Sequence, residues 1–369
     1  MLGAVATVVA QARRAGRAAC FATVVIAMAA PSESPRPQLA PAGAWPGVSI
    51  VMPVLNEERH LRSAVAHVLA QDYPGPLELL MAMGPSTDRT VEVAAEIVRS
   101  DGRVRCIDNP TGATGAGLNL GVTAASYDVI VRVDGHAMLP TDYVQVAVET
   151  LSRTGADNVG GVMAAEGVTE FQQAVARAMT SRLGVGQARF HVGGHEGPVD
   201  TVYLGVFRRA ALERVGGYDE TFLRAQDWEL NHRIRNTGGT VWFTPDLHVS
   251  YRPRSTVRAL ARQYRNYGRW RRVVMTRHRG TANLRYLAPP VAVIAVAAGT
   301  LAGVAGLRVG FLAPAGYATG VFAGSVIEGR GLPVKSRLWL PVVFATMHGS
   351  WGVGFLLSPR ALRAPRERR

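Results

Sequence analysis

Four short apolar runs, Val48 to Val54, Leu77 to Met83, Val104 to Ile107 and Val129 to Val133, alternate with three segments of helical periodicity. That alternation constrains the fold more than any other feature of the chain. The helical segments run from Glu57 to Gln71, with Leu61, Val65, Val68 and Leu69 on one face, from Thr87 to Val98, and from Gly115 to Ala125. Strands alternating with helices predict an α/β fold with a parallel sheet wound by right-handed crossovers. Further on, Val202 to Phe207 reads as a strand, Arg209 to Val215 as a short helix and Asp227 to Arg235 as a longer one.

The fourth run belongs to Asp-Val-Ile-Val-Arg-Val-Asp-Gly-His, residues 128 to 136. Ligands of α/β sheets bind beyond the carboxyl ends of the strands, so Asp134 and His136 are expected to face one pocket. A carboxylate oxygen and an imidazole nitrogen can share a divalent cation, which would neutralise a diphosphate leaving group. Oxygen ligands suit Mg²⁺, and the imidazole tilts the choice toward Mn²⁺. Taken alone, the same pattern also fits an exposed turn.

An apolar content of 48% supports a real core and argues against disorder. The net charge of +14 is unevenly placed: from Arg252 to Arg285 there are eleven arginines and no Asp or Glu. Because this basic stretch runs directly into apolar segments, anionic lipid headgroups are expected as its partner rather than nucleic acid. Three apolar stretches follow, Pro289 to Leu307, Val309 to Ile327 and Leu338 to Leu357, each near the length that crosses a bilayer. They predict two or three membrane helices in a multi-pass plasma-membrane protein whose catalytic domain is cytoplasmic. Three spans would put the terminal arginines outside, against the positive-inside tendency, so either one segment is re-entrant or the count is two.

Cys20 and Cys106 have neither metal spacing nor a disulfide framework, and Cys106 is expected to be a small buried hydrophobe. Arg13, Arg14 and Arg17 precede an apolar stretch from Ala18 to Ala30, which fits a tail, an interfacial helix or a true start at Met28. Residues 31 to 47, with five prolines, read as a linker. The expected organisation is a tail and linker (1–47), a catalytic domain (48–251), a basic juxtamembrane segment (252–286), membrane helices (287–357) and a basic tail (358–369).

Five segments occur in a fixed order: Ser49-Ile50-Val51-Met52-Pro53-Val54-Leu55-Asn56-Glu57, Ser86-Thr87-Asp88-Arg89-Thr90, Asp134-Gly135-His136, Gly216-Gly217-Tyr218-Asp219-Glu220 and Gln226-Asp227-Trp228-Glu229-Leu230. In this order the chain resembles family 2 glycosyltransferases from residue 48 to about 272, most closely the succinoglycan-biosynthesis branch, where D-x-H replaces D-x-D. The resemblance implies a GT-A fold and transfer of a sugar, with inversion, from a nucleotide-diphosphate donor to a lipid-linked or glycan acceptor. It places Pro53, Asn56 and Glu57 at the nucleoside pocket, Asp88 and Asp134 on the donor side, and Asp219 on the acceptor side. Asp88 also fits a plain helix cap, and Glu57 a plain first-turn acid.

Inverting transfer needs a carboxylate near the acceptor, and Asp227, opening its helix, is the expected base. Glu229, two residues on, points to another face and is read as an ion-paired neighbour of Arg233. Gln263, Arg269 and Trp270 loosely resemble the Q-x-x-R-W element of polysaccharide synthases, and they suit a membrane-interface helix equally. His191, His195 and Glu196 are read as an acceptor loop rather than a second metal site. Met83-Gly84-Pro85 stands where relatives usually carry base-binding acids, and a thioether cannot accept as a carboxylate does. That departure motivates the alternative of a catalytically inactive sugar-nucleotide or glycan-binding subunit of an export complex.

Overall fold

The computed structural model describes residues 44–363. The expectations for Cys20, for the Arg13 to Ala30 segment, for most of the linker and for the basic tail beyond Arg363 lie outside the described residues.

Strand β1 (Val48–Val54) is buried at every position except the partly exposed Pro53, as a strand covered on both faces must be. Parallel strands β2 (Leu77–Met83) and β4 (Val129–Arg132) flank it, and β3 (Val104–Asp108) adds in parallel outside β2. Helices α1 (Leu61–Leu69), α2 (Thr90–Ser100) and α3 (Thr114–Ala124) make the crossovers. With α4 (Tyr143–Thr154), α1 and α2 cover one face, packing Leu61, Val65, Val68, Ile97 and Leu151 around Ile50 and Met52. On the other face Leu118 of α3 packs with Val51 and Leu80. Each such fully buried aliphatic side chain contributes about 2 kcal/mol.

The second half of the sheet is mixed. With β5 (Asn158–Ala165), β6 (Gly197–Pro198), β7 (Tyr203–Arg208) and β8 (Val241–Tyr251), the order of the eight strands is β3-β2-β1-β4-β7-β5-β8-β6. Strand β7 is antiparallel to both β4 and β5, and β6 to β8, so the expected parallel pairing holds for the first four strands and again only between β5 and β8. The β5 register on β8 jumps from Gly160 opposite Phe243 to Val162 opposite His248. A Cβ at Gly161 would lie 1.9 Å from the Leu247 carbonyl oxygen, so this bulge closes only over glycine. Five further helices complete the catalytic region: α5 (Glu170–Met179), α6 (Arg182–Val185), α7 (Arg189–Val192), α8 (Arg209–Arg214) and α9 (Gln226–Asn236).

Cys106 corrects the sequence reading. It is exposed, because β3 is the outermost strand at its end of the sheet and only Val104 on that strand is fully covered.

Four helices follow β8: α10 (Val257–Arg277), α11 (Leu284–Val304), α12 (Leu312–Glu328), entered through a 3₁₀ turn at Arg308–Phe311, and α13 (Val334–Leu356). A single turn, α14 (Arg360–Arg363), ends the described chain. Residues Leu284–Val304 and Arg308–Glu328 are each long and apolar enough to cross a membrane, and they leave Leu301, Leu312 and Phe322 exposed. The third apolar stretch behaves differently. In α13, Leu340, Val343, Phe344 and Met347 are fully buried, packed with Phe171 and Val175 of α5 and Leu260 and Tyr264 of α10. Much of its hydrophobicity is therefore satisfied by protein.

Candidate active site

The loop after β1 and the loop before α2 interlock. After β1 the backbone turns through Asn56 at φ 56°, a left-handed conformation that asparagine tolerates better than most residues. The Asn56 amide hydrogen goes to Ser86 Oγ (3.0 Å), and Asn56 Oδ1 accepts from the Thr87 backbone N–H (2.8 Å). Next, the Glu57 N–H donates to Thr90 Oγ1 (2.8 Å) and the Glu58 N–H to Asp88 Oδ2 (3.3 Å). Helix α1 consequently starts at Leu61 rather than Glu57, since residues 56–58 pair with the loop before α2. Asp88 Oδ1 accepts from the N–H (3.1 Å) and the hydroxyl of Thr90, the first residue of α2, although the N-cap position itself is Arg89. The Thr90 hydroxyl holds the Asp88 carboxyl below its ordinary pKa. Both Asp88 oxygens thus serve the loop junction.

Beyond β4 the chain makes a tight turn, with the Ala137 N–H on the Asp134 carbonyl (2.9 Å), and this presents Asp134 and His136 at the strand end. His136 Nδ1 lies 2.8 Å from Glu57 Oε1. That bond raises the imidazole pKa above its usual value, partly offset by burial. On the other side, Arg132 reaches across the strand end. Its Nη2 donates to Asp134 Oδ1 (3.2 Å), and its Nη1 donates to Asp227 Oδ1. The Arg132 side chain is 8% exposed. Burial works against its charge, but Asp227 and then Asp134 more than compensate and raise its pKa.

Asp227 sits in the first turn of α9, behind Ala225 at φ 62°. Burial raises the Asp227 pKa, the negative Asp134 adds to this, and Arg132 opposes it. Tyr218 is buried beside the same charges, and its phenol is pushed up by burial. Glu229 points elsewhere, as its spacing implies: it accepts from Arg233 Nε and Nη2 (both 2.7 Å) and lies 3.1 Å from His278 Nε2.

The structure therefore brings together Glu57, His136, Asp134 and Asp227, with Asn56 on the adjoining loop and Pro53 near the end of β1. Asp219 turns away: its Oδ1 accepts from the Thr221 N–H (2.9 Å), and its Oδ2 lies 3.8 Å from Arg277 Nη1. Gly216 and Gly217, at φ 74° and 72°, form the turn before it. Gln263 Nε2 donates to the hydroxyl of Tyr251 at the end of β8 (2.7 Å) and to that of Tyr267 on its own helix (2.8 Å). Trp270 is 6% exposed and packs with Phe222, Trp228 and Val273, which leaves no open ring face for a sugar. Arg269, partly buried on the same helix, accepts from Ser358 Oγ through its carbonyl (3.1 Å). His191, His195 and Glu196 do not converge, because Glu196 Oε1 is taken by Trp242 Nε1 (2.8 Å) and by Arg153 Nη2 (2.5 Å).

Arg132 escaped the sequence reading although a signal was present. An arginine inside an otherwise β-branched strand must find anions once it is buried.

Among the described residues no group of three or more His, Cys, Asp or Glu could enclose a metal. The donor set nevertheless fits a divalent cation held by one or two side chains and completed by substrate phosphates and water. Asp134 Oδ2 and His136 Nε2 have no hydrogen-bond partner among the described residues, and the chemistry of both suits Mn²⁺ or Mg²⁺.

Comparison with known proteins identifies the family and the fold. The profile of the family described as Glycosyl transferase family 2 matches residues 49–216. The chain is 33% identical over 312 residues to the succinoglycan biosynthesis protein ExoA of Rhizobium meliloti (strain 1021), covering 83% of this chain and 93% of that protein. It is 25% identical to a dolichyl N-acetyl-α-D-glucosaminyl phosphate 3-β-D-2,3-diacetamido-2,3-dideoxy-β-D-glucuronosyltransferase of Methanococcus voltae, covering 66% of this chain and 77% of that one. Among solved structures it is similar to a mannosyltransferase of Pyrobaculum calidifontis in complex with GDP-Man and Mn²⁺. The TM-score is 0.57 and the identity 18%, covering 88% of this chain and 91% of that one.

Proposed function

The chain belongs to glycosyltransferase family 2, and from that premise we propose that it is an inverting enzyme that moves a sugar from a nucleotide-diphosphate donor to a lipid-linked or polysaccharide acceptor at the membrane. One observation carries the reading: Asp134, on the donor side, and Asp227, the acceptor-side acid, meet the same buried guanidinium. Two carboxylates on one arginine lie close together in the fold, as inverting displacement requires of the donor anchor and the base.

Asp134 and His136 would hold Mn²⁺ or Mg²⁺, which neutralises the charge of the departing diphosphate when bound. Asn56 and Glu57 lie on the loop that would receive the nucleoside. Asp227 would take the proton of the acceptor hydroxyl as it attacks the anomeric carbon from the side opposite the diphosphate. Arg132 keeps Asp227 oriented and favours its ionised form. The Pyrobaculum mannosyltransferase, with its GDP-Man and Mn²⁺, supports a nucleotide-sugar donor and a divalent cation. The name of the Rhizobium relative supports a polysaccharide product.

The membrane arrangement follows from charge. If α11 and the Arg308–Glu328 segment span the bilayer, the arginines of α10 lie on one side together with Arg330 in the following turn and Lys335 and Arg337 at the start of α13. By the positive-inside tendency that side is cytoplasmic, where activated sugars are made.

The test is donor consumption by membranes carrying wild type or Asp227→Asn, preceded by thermal-shift screening of UDP, GDP and dTDP sugars with and without Mn²⁺. We expect metal-dependent stabilisation by one nucleotide class and a loss of turnover of about 10³-fold in Asp227→Asn. Equal turnover by both proteins removes the base assignment, and no turnover by either favours the inactive subunit.

A further inference from the structure

We propose that Glu57 is a positioning residue for the cation site, fixing the orientation and tautomer of His136 so that Nε2 is the atom offered to the metal. The inference rests on the cation reading above and adds to it a residue that the family resemblance assigns to the nucleoside pocket.

The geometry comes first. Glu57 Oε1 lies 2.8 Å from His136 Nδ1, and the Glu57 side chain is 18% exposed while that of His136 is 54% exposed. The carboxylate thus anchors an otherwise solvent-facing ring. Its own placement does not depend on that contact, because the Glu57 backbone N–H is held by Thr90 Oγ1 (2.8 Å). Gly135 lies beneath the Glu57 side chain: a Cβ there would come 3.2 Å from Glu57 Cγ, tighter than ordinary packing. Carboxylate, glycine and imidazole together form a small built unit.

The chemistry explains why an imidazole at this position needs the partner. A carboxylate can ligate through either of two oxygens in several orientations, so an aspartate here would find a metal without help. Neutral imidazole has one lone pair, and the nitrogen that carries it depends on where the proton sits. An acceptor on Nδ1 keeps the proton there, leaves the lone pair on Nε2 and increases its basicity. Carboxylate partners of ligating histidines generally act in this way. Because a nitrogen ligand favours Mn²⁺ over Mg²⁺, the same contact would tune metal preference.

Mn²⁺ binding to the full-length protein in detergent tests this, titrated by electron paramagnetic resonance with UDP or GDP present. Spin-echo modulation from a coordinated imidazole nitrogen is recorded in parallel. Glu57→Ala should weaken Mn²⁺ binding by about 10–100-fold and reduce the nitrogen modulation, with a smaller effect on Mg²⁺. Glu57→Gln retains an acceptor oxygen and should recover part of the loss. Metal-free unfolding of both variants should match wild type, since the backbone contact to Thr90 is kept. Glu57→Ala with Mn²⁺ affinity within about twofold of wild type and unchanged modulation overturns the inference. So does a loss confined to metal-free nucleotide binding. Asp134→Asn separates the two levels: retained Mn²⁺ binding in that variant overturns the cation site itself, whereas its loss leaves the Glu57 result to decide.

Discussion

Arg132 and Asp227 are 95 residues apart in the chain and joined by a hydrogen bond from Nη1 to Oδ1. The same guanidinium holds Asp134. Removing it would leave two carboxylates facing each other with no cation between them, and the Asp227 pKa, already raised by burial, would rise further. Arg132→Met should therefore move the acid limb of the kcat/KM profile to higher pH and lower turnover at neutral pH by about 10²-fold. Loss of a buried partner should also lower stability by about 3 kcal/mol, an effect that shrinks in acid as the carboxylates protonate. An unshifted acid limb in Arg132→Met would show that Asp227 is not the titrating base.

Ala225, directly before α9, is held at φ 62°, which costs a residue bearing a Cβ about 1 kcal/mol relative to glycine. The first turn of that helix carries Asp227. Ala225→Gly should relieve the strain and raise unfolding stability by up to about 1 kcal/mol, although the greater chain freedom of glycine offsets part of the gain. It should also lower kcat by a few fold with little change in KM, because the start of the helix that carries the proposed base is less firmly aimed. Stability from chemical denaturation and steady-state kinetics read the two effects separately.

The first half of the molecule was legible because its cues are local. The strand-helix alternation of residues 48–133 gave elements within a few residues of those observed, and Asp134, His136 and Asp227 stood at the ends of recognisable elements. What was missed depends on distant partners. Strand β5 contains Gly160 and Gly161, and β8 contains Pro245 and Asp246, so neither shows the apolar pattern of a strand until the bulge pairing is seen. Cys106 is read as core because it falls between Val104 and Ile107 in a short strand, but the position of β3 in the sheet leaves it in water. Leu338 to Leu357 looked like a membrane span because composition does not reveal that α5 and α10 take up its apolar face.

Glu229 illustrates the same dependence on distant partners. Only 2% of its side chain is exposed, and burial would raise its pKa, but hydrogen bonds from His278 and Arg233 outweigh that and lower it. A lowered folded-state pKa contributes stability above the ordinary carboxyl value of 4.5, and this is lost as pH falls through the folded value. Glu229→Gln should thus cost about 3 kcal/mol at neutral pH, with the difference from wild type narrowing below about pH 4. Denaturation midpoints across pH 3.5–7 check this, and a pH-independent difference would refute the ionic account.

The crossing of α10 and α13 makes the strongest packing prediction. A Cβ at Gly268 would lie 2.0 Å from the Trp351 carbonyl oxygen, and one at Gly354 would lie 2.1 Å from the Arg265 carbonyl oxygen. Both obstacles are backbone, so neither can swing aside, and the helices approach this closely only because glycine stands on each. Gly268→Ala and Gly354→Ala should each destabilise the protein by about 2 kcal/mol through forced separation of the helices. The double variant should cost less than the sum, because the first separation already makes room for the second methyl. Helix α10 also carries Gln263, tied to Tyr251 at the end of β8, so the shift should reach the proposed acceptor side before the proposed donor side. Nucleotide binding with Mn²⁺ should be unchanged in the single variants while turnover falls. Equal loss of both would mean that α13 supports the whole catalytic domain rather than its acceptor face.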